Sequence, residues 1–224
     1  MRVTHLFHSG FLIDLKDCTL LFDWFPTSKE QLAQDFSRIR PDKKLYVFVS
    51  HAHTDHYVPV IWQLAERFPA CDPTFIVDAP IAHDAPAEQD LDVVGCEPEQ
   101  IYDIDEGLAF CVDVDGRTIY HAGDLSVWWW PERDRSLNEN SEKTCSYFLE
   151  VLEDKHIELA MLPIAPRAGS EGDRGIELFM KQVGADVVVP MHYLDMRAQA
   201  MALADSKRLA PWRSRIRFDE QFEL

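Results

Sequence analysis

The chain has 224 residues, 46% of them hydrophobic and 11% aromatic, a composition that excludes disorder. Folding at this size buries about 70% of the extended chain's surface, so no covalent staples are needed. Thirty-nine acidic against 22 basic residues leave a formal charge of −17, which repels phosphate backbones and argues against a nucleic-acid partner. No apolar run approaches the ~20 residues of a membrane span. The opening MRVTHLFHSGFLIDL puts His5, His8 and Asp14 where a signal peptide needs an unbroken apolar core. Five cysteines, an odd number without a CxxC pair, point to reduced and mostly buried thiols. The expectation is a cytoplasmic protein acting on a small molecule, with no nucleic-acid or membrane partner.

In chain order, the first fifty residues read as strands over Arg2–Phe7, Phe11–Leu15, Thr19–Phe22 and Leu45–Val49. The last, LYVFV, is the continuous apolar run of a strand buried on both faces. Leu32, Phe36 and Ile39 recur at helical spacing, as do Ile61, Leu64, Ala65 and Phe68 further on. The stretch from Leu108 to Asp124 reads as a hairpin turning at Asp115-Gly116, both of which tolerate positive φ. Phe148, Leu149 and Leu152 mark a third helix, and IELAMLP a strand. Ile176, Phe179, Met180 and Val183 mark a fourth helix that Gly184 can cap, and DVVVPM follows as a buried strand. Alternating Arg213, Arg215 and Arg217 predict the solvent face of a C-terminal strand. No linker or repeat divides the chain, so one domain over residues 1–224 is expected.

The densest chemical signal is Ser50-His51-Ala52-His53-Thr54-Asp55-His56, directly after LYVFV. An extended backbone points His51 and His53 the same way, and Asp55 and His56 follow on the turn. Imidazole and carboxylate are ligands that zinc, manganese and iron accept. Phosphate-binding glycine loops and a G-x-S-x-G elbow are absent; Ala168-Gly169-Ser170-Glu171-Gly172 lacks the first glycine. Asp113-Val114-Asp115-Gly116 lacks the remaining ligands of a calcium loop.

HxHxDH after a buried strand resembles the metallo-β-lactamase superfamily. Asp124, in YHAGD, is similar to that family's bridging aspartate, and His192, in VPMHY, to its last histidine; each directly follows a strand. The opening HSGFLI with the later LLFD resembles a branch of small metal-dependent hydrolases containing ascorbate-6-phosphate lactonase-like proteins. The resemblance implies a four-layer αβ/βα sandwich with the site at one edge between two sheets. It implies two divalent cations, zinc foremost with manganese or iron as substitutes. His51, His53 and Asp124 would hold the first, and Asp55, His56, Asp124 and His192 the second.

The family's third histidine for the first cation is missing. His83 stands too early, and Asp105 occupies the expected place, either as an ordinary acidic turn residue or as a replacement carboxylate. Asp23 is either a turn residue or the acceptor that fixes the tautomer of a metal-bound imidazole. His8 and His121 are either structural or near enough to hold substrate or protonate a leaving group. Trp128 and Trp129, in a run of three tryptophans, suit a pocket rim, a partner surface or core packing.

The implied reaction is attack by a metal-bridged hydroxide on a small ester, lactone or phosphodiester, with Asp55 orienting the nucleophile or taking its proton. Two other readings stand beside it. One is a diiron redox protein of the same fold, in which an acidic residue usually stands in place of His53. The other is a non-catalytic, metal-poor scaffold with the aromatic residues as a partner surface.

Overall fold

Short apolar runs punctuated by tight turns build the N-terminal strands of the computed structural model, which describes residues 1–86, 91–94 and 107–224. The chain divides into two units, Met1–Glu97 with Asp219–Leu224 and Pro98–Phe218.

In the first unit, β1 (Arg2–Phe7), β2 (Gly10–Asp14) and β3 (Cys18–Phe22) form an antiparallel meander. Helix α1 (Lys29–Arg38) follows, capped by Ser28, whose Oγ accepts from the Gln31 N–H at 3.1 Å. It leads to β4 (Lys44–Val49), parallel to β3. A 3-10 turn at Pro59–Trp62 runs into α2 (Gln63–Arg67), and β5 (Thr74–Asp78) pairs parallel with β4. The short α3 (Ala79–Ala82) and β6 (Leu91–Val94) complete the parallel half. A C-terminal strand, Gln221–Glu223, adds antiparallel to β1 and makes the sheet seven-stranded.

Register explains the core of this unit. Leu12 pairs with Leu21, Leu21 with Val47 and Val47 with Phe75, so four apolar side chains line one face in a row. Phe36 and Ile39 from the α1 segment, with Ile61, Trp62 and Leu64 from the α2 segment, close over them in one cluster. Each fully buried member contributes about 1.5–3 kcal/mol of transfer free energy. On β3 and β4 the paired Phe22 and Phe48 stack at 4.5 Å.

The second unit is built on a four-stranded sheet. β7 (Phe110–Val114) and β8 (Arg117–His121) form the expected hairpin, with Asp115 and Gly116 at φ 52° and 73°. Helix α4 (Arg135–Leu149) precedes β9 (Leu159–Pro163), which pairs parallel with β8. Helix α5 (Arg174–Gln182) precedes β10 (Val187–Met191), parallel to β9, and α6 (Arg197–Ala204) comes last. Phe179 of α5 stacks on Tyr120 of β8 at 5.1 Å. Gly184 caps α5 at φ 83°, its N–H donating to the Phe179 carbonyl at 2.9 Å.

Two expectations are corrected. Arg213 and Arg215 lie in a 3-10 turn, Ala210–Arg215, rather than on a strand. Pro211 starts that turn, and the guanidiniums are taken up locally: Arg213 pairs with Asp205 at 3.1 Å and Arg215 donates to the Ala185 carbonyl at 2.9 Å. Phe148 faces outward at 43% exposure, while Leu149 and Leu152 are buried. The helix begins at Arg135, far ahead of the apolar residues that announced it.

Candidate metal centre

Parallel strands bring their C-terminal ends to one sheet edge, and the first unit collects its polar residues there. β3 ends into Asp23 and its neighbour β4 into Ser50-His51. Asp23 is fully buried at φ 39° and acts as a triple acceptor. Its carboxylate takes the Ser50 N–H at 2.7 Å, the Ser50 hydroxyl at 2.7 Å and the His56 Nδ1–H at 2.7 Å. A carboxylate only accepts, so His56 carries its proton on Nδ1 and keeps Nε2 as the nitrogen able to bind a cation. The Ser50 hydroxyl, having donated to Asp23, accepts from His51 Nδ1 at 2.9 Å, which fixes the same tautomer on His51.

The imidazoles are spaced as ligands. Nε2 of His51 and Nδ1 of His53 stand 3.0 Å apart. Two donors about 2.0 Å from one tetrahedral cation stand roughly 3.3 Å apart. On the other side of the loop, His8, Asp55 and His56 bring ligand atoms within 4.8 Å of one another. His8 arrives from the β1–β2 turn at φ 53°, with its carbonyl 2.9 Å from His5 Nε2. Its own Nε2 lies 3.1 Å from Asp55 Oδ2. That hydrogen bond, opposed by desolvation and aided by His56, holds the Asp55 carboxyl well below the usual carboxylate range.

The second unit presents a smaller cluster by the same device. β8 runs into Ala122-Gly123-Asp124, with Gly123 at φ 54°, and β10 runs into His192 at φ 65°. Asp124 Oδ1 and His192 Nε2 lie 3.4 Å apart, again the spacing of two ligands rather than of a direct hydrogen bond. The Trp128 indole N–H donates to the Asp124 carbonyl at 2.9 Å, and its ring meets that of His192 edge-on at 5.2 Å. Trp129 turns away to receive the Arg174 guanidinium 4.0 Å above its ring.

The remaining sequence candidates fall as follows. His121 is fully buried in β8 and its Nδ1 accepts the Gly123 N–H at 3.1 Å, shaping the turn before Asp124. His83 is exposed at the end of α3. Asp105 lies outside the described residues. Sequence reasoning missed Ser50, whose hydroxyl joins Asp23 to His51; a serine before HxH carries no pattern of its own. It also missed Asn138 and Ser141, buried polar residues of α4 that bond to the tryptophan segment.

No family model matches the chain. A protein named "UPF0173 metal-dependent hydrolase" from Methanospirillum hungatei is 25% identical over 223 residues, spanning 86% of this chain and 83% of the relative. The structure of Igni18, a metallo hydrolase from Ignicoccus hospitalis, has the same fold with a TM-score of 0.66 at 19% identity, over 100% of this chain and 98% of that one. CmlA, a diiron β-hydroxylase from Streptomyces venezuelae, matches with a TM-score of 0.62 at 10% identity, over 100% of this chain and 53% of its own. Two sheets flanked by helices are thus shared with metallo-hydrolase structures. The sequence relative is named a metal-dependent hydrolase, and the fold is the one shared with that metallo hydrolase structure.

Proposed function

We propose that this chain is a metal-dependent hydrolase of small esters, lactones or phosphodiesters. His51, His53 and Asp124 hold one divalent cation, and Asp55, His56, Asp124 and His192 a second. The observation that carries the reading is the Asp23–Ser50 arrangement, which sets His51 and His56 in the tautomer that leaves Nε2 for a cation. Similarity to proteins named metal-dependent hydrolases supports it.

Zinc or manganese, when bound, would supply a water nucleophile near neutral pH and would neutralise charge developing on the substrate oxygen. Asp55, kept ionised by His8, orients that water or takes its proton. Asp23 holds His56 in place through the reaction. The Trp128 ring offers an apolar wall to part of the substrate. The charge of −17 favours a small, non-polymeric substrate.

The test is elemental analysis of the purified protein, followed by a screen of chromogenic phosphodiesters, lactones and thioesters. The reading expects hydrolysis of one class, lost on chelation and restored by zinc or manganese. Turnover that survives chelation contradicts it. Fold likeness to CmlA favours one second reading, a diiron redox protein, which iron with oxidase activity would establish instead.

A further inference from the structure

The segment from Asp124 to Trp130 has no regular secondary structure, yet it carries one of the proposed ligands. It is held by α4 through two buried polar side chains. Asn138, 3% exposed, reads the backbone of Trp130 on both sides: its Oδ1 accepts the Trp130 N–H at 3.0 Å and its Nδ2 donates to the Trp130 carbonyl at 2.8 Å. One turn on, the buried Ser141 hydroxyl accepts the Trp128 N–H at 3.0 Å. Trp128 in turn ties its indole N–H to the Asp124 carbonyl at 2.9 Å. From α5, Arg174 covers Trp129, and Gly175 approaches so closely that a Cβ there would stand 2.0 Å from Ser126 Oγ. Burying an amide and a hydroxyl on a helix face costs free energy unless every polar atom is used. Here they are spent on the backbone of one loop rather than on packing.

We propose that Asn138 and Ser141 are positioning residues for Asp124, fixing residues 124–130 before any cation arrives. The inference rests on the metal-dependent reading above and extends it to residues that touch neither cation nor substrate. A segment already ordered loses little conformational freedom when Asp124 takes a cation; a loose one must be ordered at the expense of affinity.

The experiment measures zinc affinity by competition with a chromophoric chelator, and amide hydrogen exchange of the metal-free protein. It compares the full chain with Asn138→Ala, Ser141→Ala, Asn138→Asp and Leu149→Ala. Leu149 is a buried apolar residue of the same helix, so its truncation lowers stability without removing a bond to the loop. Asn138→Ala is expected to weaken zinc binding about 10- to 100-fold, in the range of other groups that orient metal ligands. It should also speed exchange at the Trp128 and Trp130 amides. Ser141→Ala should do the same more mildly, which keeps the test intact if Asn138→Ala folds poorly. Asn138→Asp, which keeps the acceptor for the Trp130 N–H, should fall between. Leu149→Ala should melt earlier yet bind zinc as the parent does. Unchanged affinity in both alanine variants, or an equal loss in Leu149→Ala, overturns this inference while leaving the hydrolase reading standing. A parent chain that binds no zinc or manganese overturns both.

Discussion

Asp23 concentrates three acceptor roles in one buried carboxylate, and its backbone is held at φ 39°. His8 and His192 share that left-handed conformation, at φ 53° and 65°. Such residues cost on the order of 1–3 kcal/mol each and persist where the surroundings over-determine them, commonly at working sites. Replacing Asp23 by Ala leaves the Ser50 donors and His56 Nδ1 without their acceptor. The expected result is a loss of about 1–3 kcal/mol per stranded group in urea unfolding. Zinc affinity should fall at the same time, because His51 and His56 are freed to rotate or change tautomer. Asp23 was legible as a strand-end aspartate ahead of the histidine motif. Its bond to Ser50 was not, since it depends on β3 and β4 lying parallel and adjacent.

Asp35 offers a separate check at the same scale. Burial raises its carboxyl above the ordinary value, against the opposing hydrogen bond from Trp24 Nε1 at 3.0 Å and the Arg38 charge. A raised folded value means that the native state binds the proton more tightly than the unfolded chain. The ionised form therefore weighs against folding at neutral pH, and that penalty fades as pH falls through the raised value. Asp35→Asn should raise the melting temperature at pH 7, with the gap to the parent closing towards pH 4. A gap that widens on acidification would contradict the assignment.

Among elements, α4 shows most plainly why some structure was hidden. Its buried positions are Asn138, Ser141, Cys145 and Leu149, spaced 3, 4 and 4 apart, the ordinary stripe of a helix face. Two of the four are polar, so a search for apolar periodicity finds only the last turn. The start was marked instead by Asp134, whose carboxylate accepts the Ser136 N–H at 2.8 Å. The opposite error befell Arg213, Arg215 and Arg217, where a period of two, with Trp212, Ile216 and Phe218 alternating between the charges, imitated a strand although Pro211 starts a 3-10 turn over Ala210–Arg215. The strands themselves were readable because their burial is nearly continuous: β9 and β10 are buried at every position.

Two glycines separate steric from conformational demand. A Cβ at Gly172 would lie 2.0 Å from the Ala165 carbonyl oxygen, on the backbone whose N–H donates to the Gly172 carbonyl at 2.8 Å. Gly116 has open space around it but sits at φ 73° in the hairpin turn. Gly172→Ala should cost about 3 kcal/mol, at the upper end for overpacking. Gly116→Ala should cost about 1 kcal/mol, the penalty of placing an alanine in the left-handed region. Equal losses in thermal unfolding would show that one of the two turns is misread.

At the level of the whole molecule, the charge of −17 and the order of motifs carried most of the functional information. HxHxDH, Asp124 and His192 each follow a strand, and the structure places each at the C-terminal end of one in its own unit. The absence of a third histidine before the hairpin was equally legible, though Asp105, the carboxylate in its place, lies outside the described residues. Among the described residues no helix is long and apolar enough to cross a membrane. Substrate identity left no mark in the sequence, because it depends on the walls of a pocket rather than on the spacing of ligands.

The most direct measurement is the content of transition metal per chain, by elemental analysis after saturation with zinc and removal of the excess. It should be made on the parent and on two alanine variants, at Asp124 and at the exposed His83. The account predicts about two equivalents in the parent, as in a binuclear hydrolase. It predicts almost none in Asp124→Ala, because Asp124 is proposed as a ligand of both cations, and the parental content in His83→Ala. Metal retained by Asp124→Ala, or lost from His83→Ala, would contradict it.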